Sequence, residues 1–96
     1  MDKIERVKKM EAIFDECQEI IDDLGSALDR YADILPKLQE LREYYESPLW
    51  LEDVADDEQG AFGDMKRGVL SEDGIWNMLD EEKSLRDMME ELCRNR

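Results

Sequence analysis

An apolar ladder with alternating steps of three and four runs through the N-terminal part of the chain. It reads Val7, Met10, Phe14, Cys17, Ile21, Leu24, Leu28, Tyr31, Leu35 and Leu38. A second column sits beside it at steps of seven: Ile13, Ile20, Ala27, Ile34 and Leu41. This spacing repeats one face of an α-helix and places three apolar residues in each heptad, wider than a two-stranded coiled-coil seam. A helix with such a face is marginal alone in water and has to bury it against other helices. The pattern predicts an all-α protein, helical-bundle or coiled-coil-like, built on a long N-terminal helix. Cys17 lies on the ladder and is expected to be a small buried hydrophobe.

The ladder keeps its phase through Gly25-Ser26 and through Pro36, and fails at Arg42. A proline inside a helix removes a hydrogen bond and its ring crowds the carbonyl four residues earlier. The first helix is therefore kinked or broken near Pro36; the unbroken phase favours a kinked helix reaching about Tyr45. Ser47-Pro48 carries the cap-then-proline signal of a second, short helix to about Glu58. Gly60 and Gly63 bracket an irregular stretch over residues 59–70, and Gly68 suits a turn with positive φ. Ser71 is expected to cap the last helix, with Leu70 and Ile75 at the spacing of a hydrophobic staple. The apolar face of that helix is Ile75, Met78, Leu79, Leu85, Met88, Met89 and Leu92. Glu82 interrupts it and predicts an exposed middle. The last helix is expected to pack back antiparallel on the first, but it is too short to cover the whole stripe. The remainder needs the short helix, a second copy or another protein.

The chain has 96 residues, which supports a single helical domain over residues 1–96. Its net charge of −14 is unevenly spread. Residues 10–29 hold seven acids and no base, residues 43–65 eight acids and no base, and residues 68–82 five acids and no base. Direct contact with nucleic-acid phosphates or anionic lipid is disfavoured by that distribution. The N-terminus lacks the apolar stretch of a signal peptide, and the longest aliphatic or aromatic run is Leu49-Trp50-Leu51, so a cytoplasmic chain without a membrane span is expected.

Residues that carry chemistry are sparse. With no histidine, the commonest general base and the commonest transition-metal ligand are missing. Cys17 and Cys93 match no metal or redox spacing, and Asp56-Asp57-Glu58 does not fit a calcium loop. No catalytic, cofactor-binding or metal-ligating residue is assigned. Lys66 and Arg67 are the two bases between Arg42 and Lys83. They either neutralise carboxylates of the helices or belong to a recognition loop with Trp76 as its aromatic anchor. Trp50 and Trp76 are both expected in the core. The candidate interaction residues are thus Lys66, Arg67 and Trp76, with Leu24, Leu28 and Tyr31 on the stripe.

Three stretches also resemble a known family. They are Lys66-Arg67-Gly68-Val69-Leu70-Ser71-Glu72-Asp73-Gly74-Ile75-Trp76-Asn77-Met78-Leu79, then Tyr44-Tyr45-Glu46-Ser47-Pro48-Leu49-Trp50, and the early Ile4-Glu5-Arg6-Val7-Lys8-Lys9-Met10. Together they resemble a family of small acidic helical bacterial proteins, mainly Gram-positive, known only as a domain of unknown function. The resemblance implies a cytoplasmic helical protein with no assigned activity and transfers no site residue. The leading expectation is a protein–protein interaction module or small regulator without catalysis, forming a homodimer or binding another protein. The alternative is an acidic partner that masks the basic site of a nucleic-acid-binding protein. A carboxylate-based enzyme or metal binder is third.

Overall fold

The computed structural model describes residues 2–95 and contains three α-helices and a 3-10 turn. In chain order these are α1 (Lys3–Tyr45), α2 (Pro48–Glu58), the 3-10 turn (Gly68–Leu70) and α3 (Glu72–Arg94). No strand occurs among the described residues, so the fold is all-α with a long first helix. The chain divides into two compact units, Met1–Leu38 and Gln39–Arg96.

The first unit is helix α1 up to Leu38. Asp2 caps it: its Oδ1 accepts the Glu5 backbone N–H at 2.8 Å. The helix passes through Pro36 without a break. Ala32, whose carbonyl loses its donor to the proline, lies in an exposed turn where water can replace the missing bond. No α1 residue is buried. Most of the ladder is exposed, with Tyr31 and Leu38 half-buried, whereas the last helix was expected to cover part of it. Cys17 is likewise exposed. Helix α3 has 23 residues against 43 in α1, and Trp50 of α2 and Ile75 of α3 are buried in a separate small core.

That core belongs to the second unit. Trp50 of α2, 7% exposed, and Ile75 of α3, 3% exposed, are its buried hydrophobic residues. The Tyr45 ring meets the Trp50 indole edge-on, with centroids 4.9 Å apart. The indole N–H donates to the Val69 carbonyl at 3.0 Å, which satisfies its one polar group and ties α2 to the 3-10 turn. Ser71 Oγ then accepts the Gly74 N–H at 3.2 Å, the expected cap of α3. A Cβ at Gly74 would stand 3.3 Å from the Gly68 carbonyl oxygen, so the first turn of α3 sits close against the 3-10 turn.

Two local expectations are corrected. Ser47 makes no cap bond to α2; its hydroxyl donates back to the Tyr44 carbonyl at 2.7 Å and closes the end of α1. Pro48, lacking an N–H, leaves one donor fewer to cap. Gly68 does not take positive φ; it opens the 3-10 turn, and Gly60 (φ +79°) and Gly63 (φ +58°) supply the left-handed positions. Gly60 ends α2 in a Schellman motif: its N–H reaches the Asp57 carbonyl at 2.9 Å while the Ala61 N–H reaches Asp56 at 3.1 Å.

The largest correction concerns Glu82. It is not the marker of an exposed middle. Its side chain is only 10% exposed and lies between Arg42 of α1, at 3.3 Å, and Arg86 of α3. This bridge sets α3 back on the last turns of α1. Replacing Glu82 with Ala is expected to cost ~2 kcal/mol, because half-buried Arg42 loses its carboxylate, and Arg42→Ala is expected to cost less, because Arg86 still holds Glu82. Replacing both with Leu repairs the two apolar faces together and should give a protein at least as stable as the native one. Urea unfolding followed by tryptophan fluorescence measures both; a double variant as weak as the singles refutes the account.

Candidate functional site

Two surfaces compete for the functional role: a cleft in the second unit and the bare face of α1. The cleft measures about 180 Å³ and is lined by Tyr44, Asp53, Phe62, Met65, Lys66 and Arg67 together with Val69 and Leu70. It forms because the Ser47-Pro48 turn folds α2 beside the end of α1, and the loop over residues 59–67 closes the third side. The Tyr44 hydroxyl donates to Asp53 Oδ2 at 2.6 Å across that turn. Neither residue was singled out by sequence reasoning. A nine-residue separation across a turn leaves no periodic trace, although the Tyr44-Tyr45 pair marks where the apolar face shifts.

Arg67 is structural. Its guanidinium pairs with Asp57 of α2 and donates to the carbonyls of Gly63 and Met65, which pins the loop. The neutralising role expected of this basic pair therefore applies to Arg67, while Lys66 is exposed at the rim of the cleft. Trp76 is 54% exposed and outside the core, a correction. It follows Ile75 on α3, and a step of about 100° turns it off the face that Ile75 buries. It is absent from the residues lining the cleft, so Lys66, Arg67 and Trp76 do not converge on one site. The cleft is smaller than the ~300–1,000 Å³ typical of small-molecule sites. Among the described residues no group of three His, Cys, Asp or Glu side chains is arranged to hold a metal ion.

The α1 face is the larger feature. Ile4, Val7, Met10, Ile13, Phe14, Ile20, Ile21, Leu24 and Leu28 are each between 42% and 63% exposed. At about 1.5 Å per residue, residues 4–28 extend about 36 Å. Leu24 and Leu28 lie inside this stretch, one turn apart, as the sequence indicated. Tyr31, the next ladder residue, is half-buried. Monomeric proteins rarely leave so long a contiguous apolar face in water. No described helix is long and apolar enough to cross a membrane.

The Tyr44 hydroxyl has a pKa pushed up to about 12, first by donating to Asp53, then by burial and by the Asp53 charge. The folded value exceeds the ordinary value of 10.0, so the stabilisation is fully present below pH 10 and is lost as pH climbs from there through about 12. The native protein should lose stability across that window, and Tyr44→Phe should flatten the decline. Near neutral pH the same substitution should cost about 1 kcal/mol. Urea unfolding at stepped pH measures both; an unchanged alkaline slope in Tyr44→Phe refutes the assignment.

Comparison with known proteins gives a family and no function. No curated protein and no solved structure matches the chain. A family model described as Domain of unknown function (DUF4298) matches residues 7–92, spanning α1 through nearly all of α3. The chain belongs to that family.

Proposed function

We propose that the protein is a non-catalytic interaction module of the cytoplasm that offers the apolar face of α1 to another helix. The supporting observation is the run of nine large apolar side chains over residues 4–28 that the chain leaves in water. An isolated helix of that length gains little from propensity and depends on packing of its amphipathic face. The second unit has its own core at Trp50 and Ile75, so the two parts divide the work: one folds, the other binds. The lack of histidine and the small volume of the cleft favour binding over catalysis.

A mask for a basic nucleic-acid-binding site would use the exposed acidic runs instead, and salt separates the two readings. The tagged chain, captured from its native cell, should retain a helical partner through a wash at about 1 M salt. Leu24→Asp and Leu28→Asp, which place a charge on the face, should each release that partner while tryptophan fluorescence shows the second unit intact. A partner that survives both substitutions, or that salt alone washes away, overturns the proposal; the latter result is the behaviour of an acidic mask.

A further inference from the structure

We infer that the helix docking on this face is a second copy of the same chain, lying antiparallel with the two-fold axis beside Cys17. The inference rests on the interaction reading above and adds the identity and register of the partner. Three observations on α1 carry it.

The first is the geometry of the stripe. At about 100° per residue, Met10, Cys17 and Leu24 form the middle column of the bare face. Val7, Phe14, Ile21 and Leu28 run along one side, and Ile13, Ile20 and Ala27 along the other. The bare stretch covers residues 4–28; half-buried Tyr31 interrupts the face before exposed Ile34 and Leu35. Antiparallel overlap of the entire stretch puts the symmetry axis near its midpoint. Met10 then meets Leu24, Cys17 meets Cys17, Phe14 meets Ile21, Val7 meets Leu28 and Ile13 meets Ile20. Every large apolar side chain of the columns finds an apolar opposite. The contact is self-complementary, as a two-fold interface must be.

The second is charge. Residues 3–9 carry Lys3, Arg6, Lys8 and Lys9 against a single acid, Glu5, whereas residues 11–29 carry seven acids and no base. A parallel, in-register pair stacks base on base and acid on acid. In the antiparallel pair residues 3–9 lie over residues 25–31, which carry one acid, Asp29, and one base, Arg30, so base no longer stacks on base. Along the edge column, Lys9 faces Asp23 and Asp2 faces Arg30, each twice by symmetry. The one like pair is Glu16 with itself at the axis. Electrostatic complementarity of this kind fixes orientation and register.

The third is that three of these four charges are uncommitted, while Asp2 also accepts the Glu5 backbone N–H. Within the chain, Lys9, Asp23 and Arg30 take part in none of the ion pairs or side-chain hydrogen bonds among the described residues. Cys17 is an exposed free thiol at the position the symmetry requires.

Light scattering on the full chain at micromolar concentration should give twice the 11.4 kDa monomer mass. A monomer with an intact second unit overturns this inference and leaves the interaction reading standing, with a different protein on the face. Orientation is read by disulfide trapping in chains carrying Cys17→Ser and Cys93→Ser. A mixture of one chain with Met10→Cys and another with Leu24→Cys should cross-link under mild oxidation, and neither chain alone should. In the antiparallel pair, two copies of position 10 stand about 21 Å apart along the axis, beyond the Cα separation a disulfide tolerates. Cross-linking of each chain with itself establishes a parallel pair and overturns the proposal. The Cys93→Ser protein, keeping Cys17, should form a dimer bridged through Cys17; its failure to do so under the same oxidation also overturns the register.

Discussion

The second unit depends on a charge that interrupts an apolar face and is answered by another interruption. In α1 the ladder breaks at Arg42; in α3 it breaks at Glu82. The two faults meet, with the guanidinium 3.3 Å from a carboxylate that is only 10% exposed, and Arg86 holds the same carboxylate from the next turn of α3. An apolar residue at either site alone would leave its opposite charge partly buried. Matched, they fix where α3 lands on the end of α1. A pure leucine seam would bind at least as tightly and would slide more easily from one turn to the next. That is the circumstance in which a half-buried ion pair contributes placement more than stability.

Around this bridge the second unit is economical. One tryptophan, one isoleucine and the ring of Tyr45 form the core, and the Trp50 N–H finds its acceptor in the 3-10 turn. The loop over residues 59–67 has little apolar content to hold it. Arg67 does so instead, through Asp57 and two backbone carbonyls, while Gly60 and Gly63 provide the left-handed geometry that lets the chain turn back. The Arg67-Gly68-Val69-Leu70-Ser71 stretch is thereby a structural clasp. Its departure from the acidic surroundings reflects the need for one cation that can donate to several acceptors at once.

The helices were legible in the sequence because their signals are periodic or local. The ladder from Val7 to Leu38 lies inside α1, and Ser47-Pro48 opens α2 and Ser71 caps α3, each within one residue of its structural boundary. What escaped the reading depends on contacts between distant residues. Glu82 looked exposed because its partner lies forty positions away on α1. Trp76 was expected in the core, yet the neighbouring Ile75 takes the inward face. Cys17 and the ladder looked buried because apolar periodicity reports that a face must be covered and is silent on whether the same chain covers it. The Tyr44–Asp53 bond, made across a turn, has no signature in the sequence at all.

That silence bears on function more than on fold. A chain of net charge −14 faces a general repulsion from its own copies. Apolar burial has to exceed this repulsion, and the orientation that keeps the repulsion lowest is favoured. The charge along α1 is polar in the sense of a magnet: a short basic end, then a long acidic body. For such a rod, self-association that buries the stripe and also pairs unlike charges has one direction open to it. A heterologous partner would need only an apolar helix edged with bases along its length. The basic end of α1 gives no advantage toward such a partner, since bases would meet bases there. Of the four N-terminal bases, which oppose the positive end of their own helix dipole, Lys9 gains an acidic partner, Asp23, in the proposed antiparallel pair.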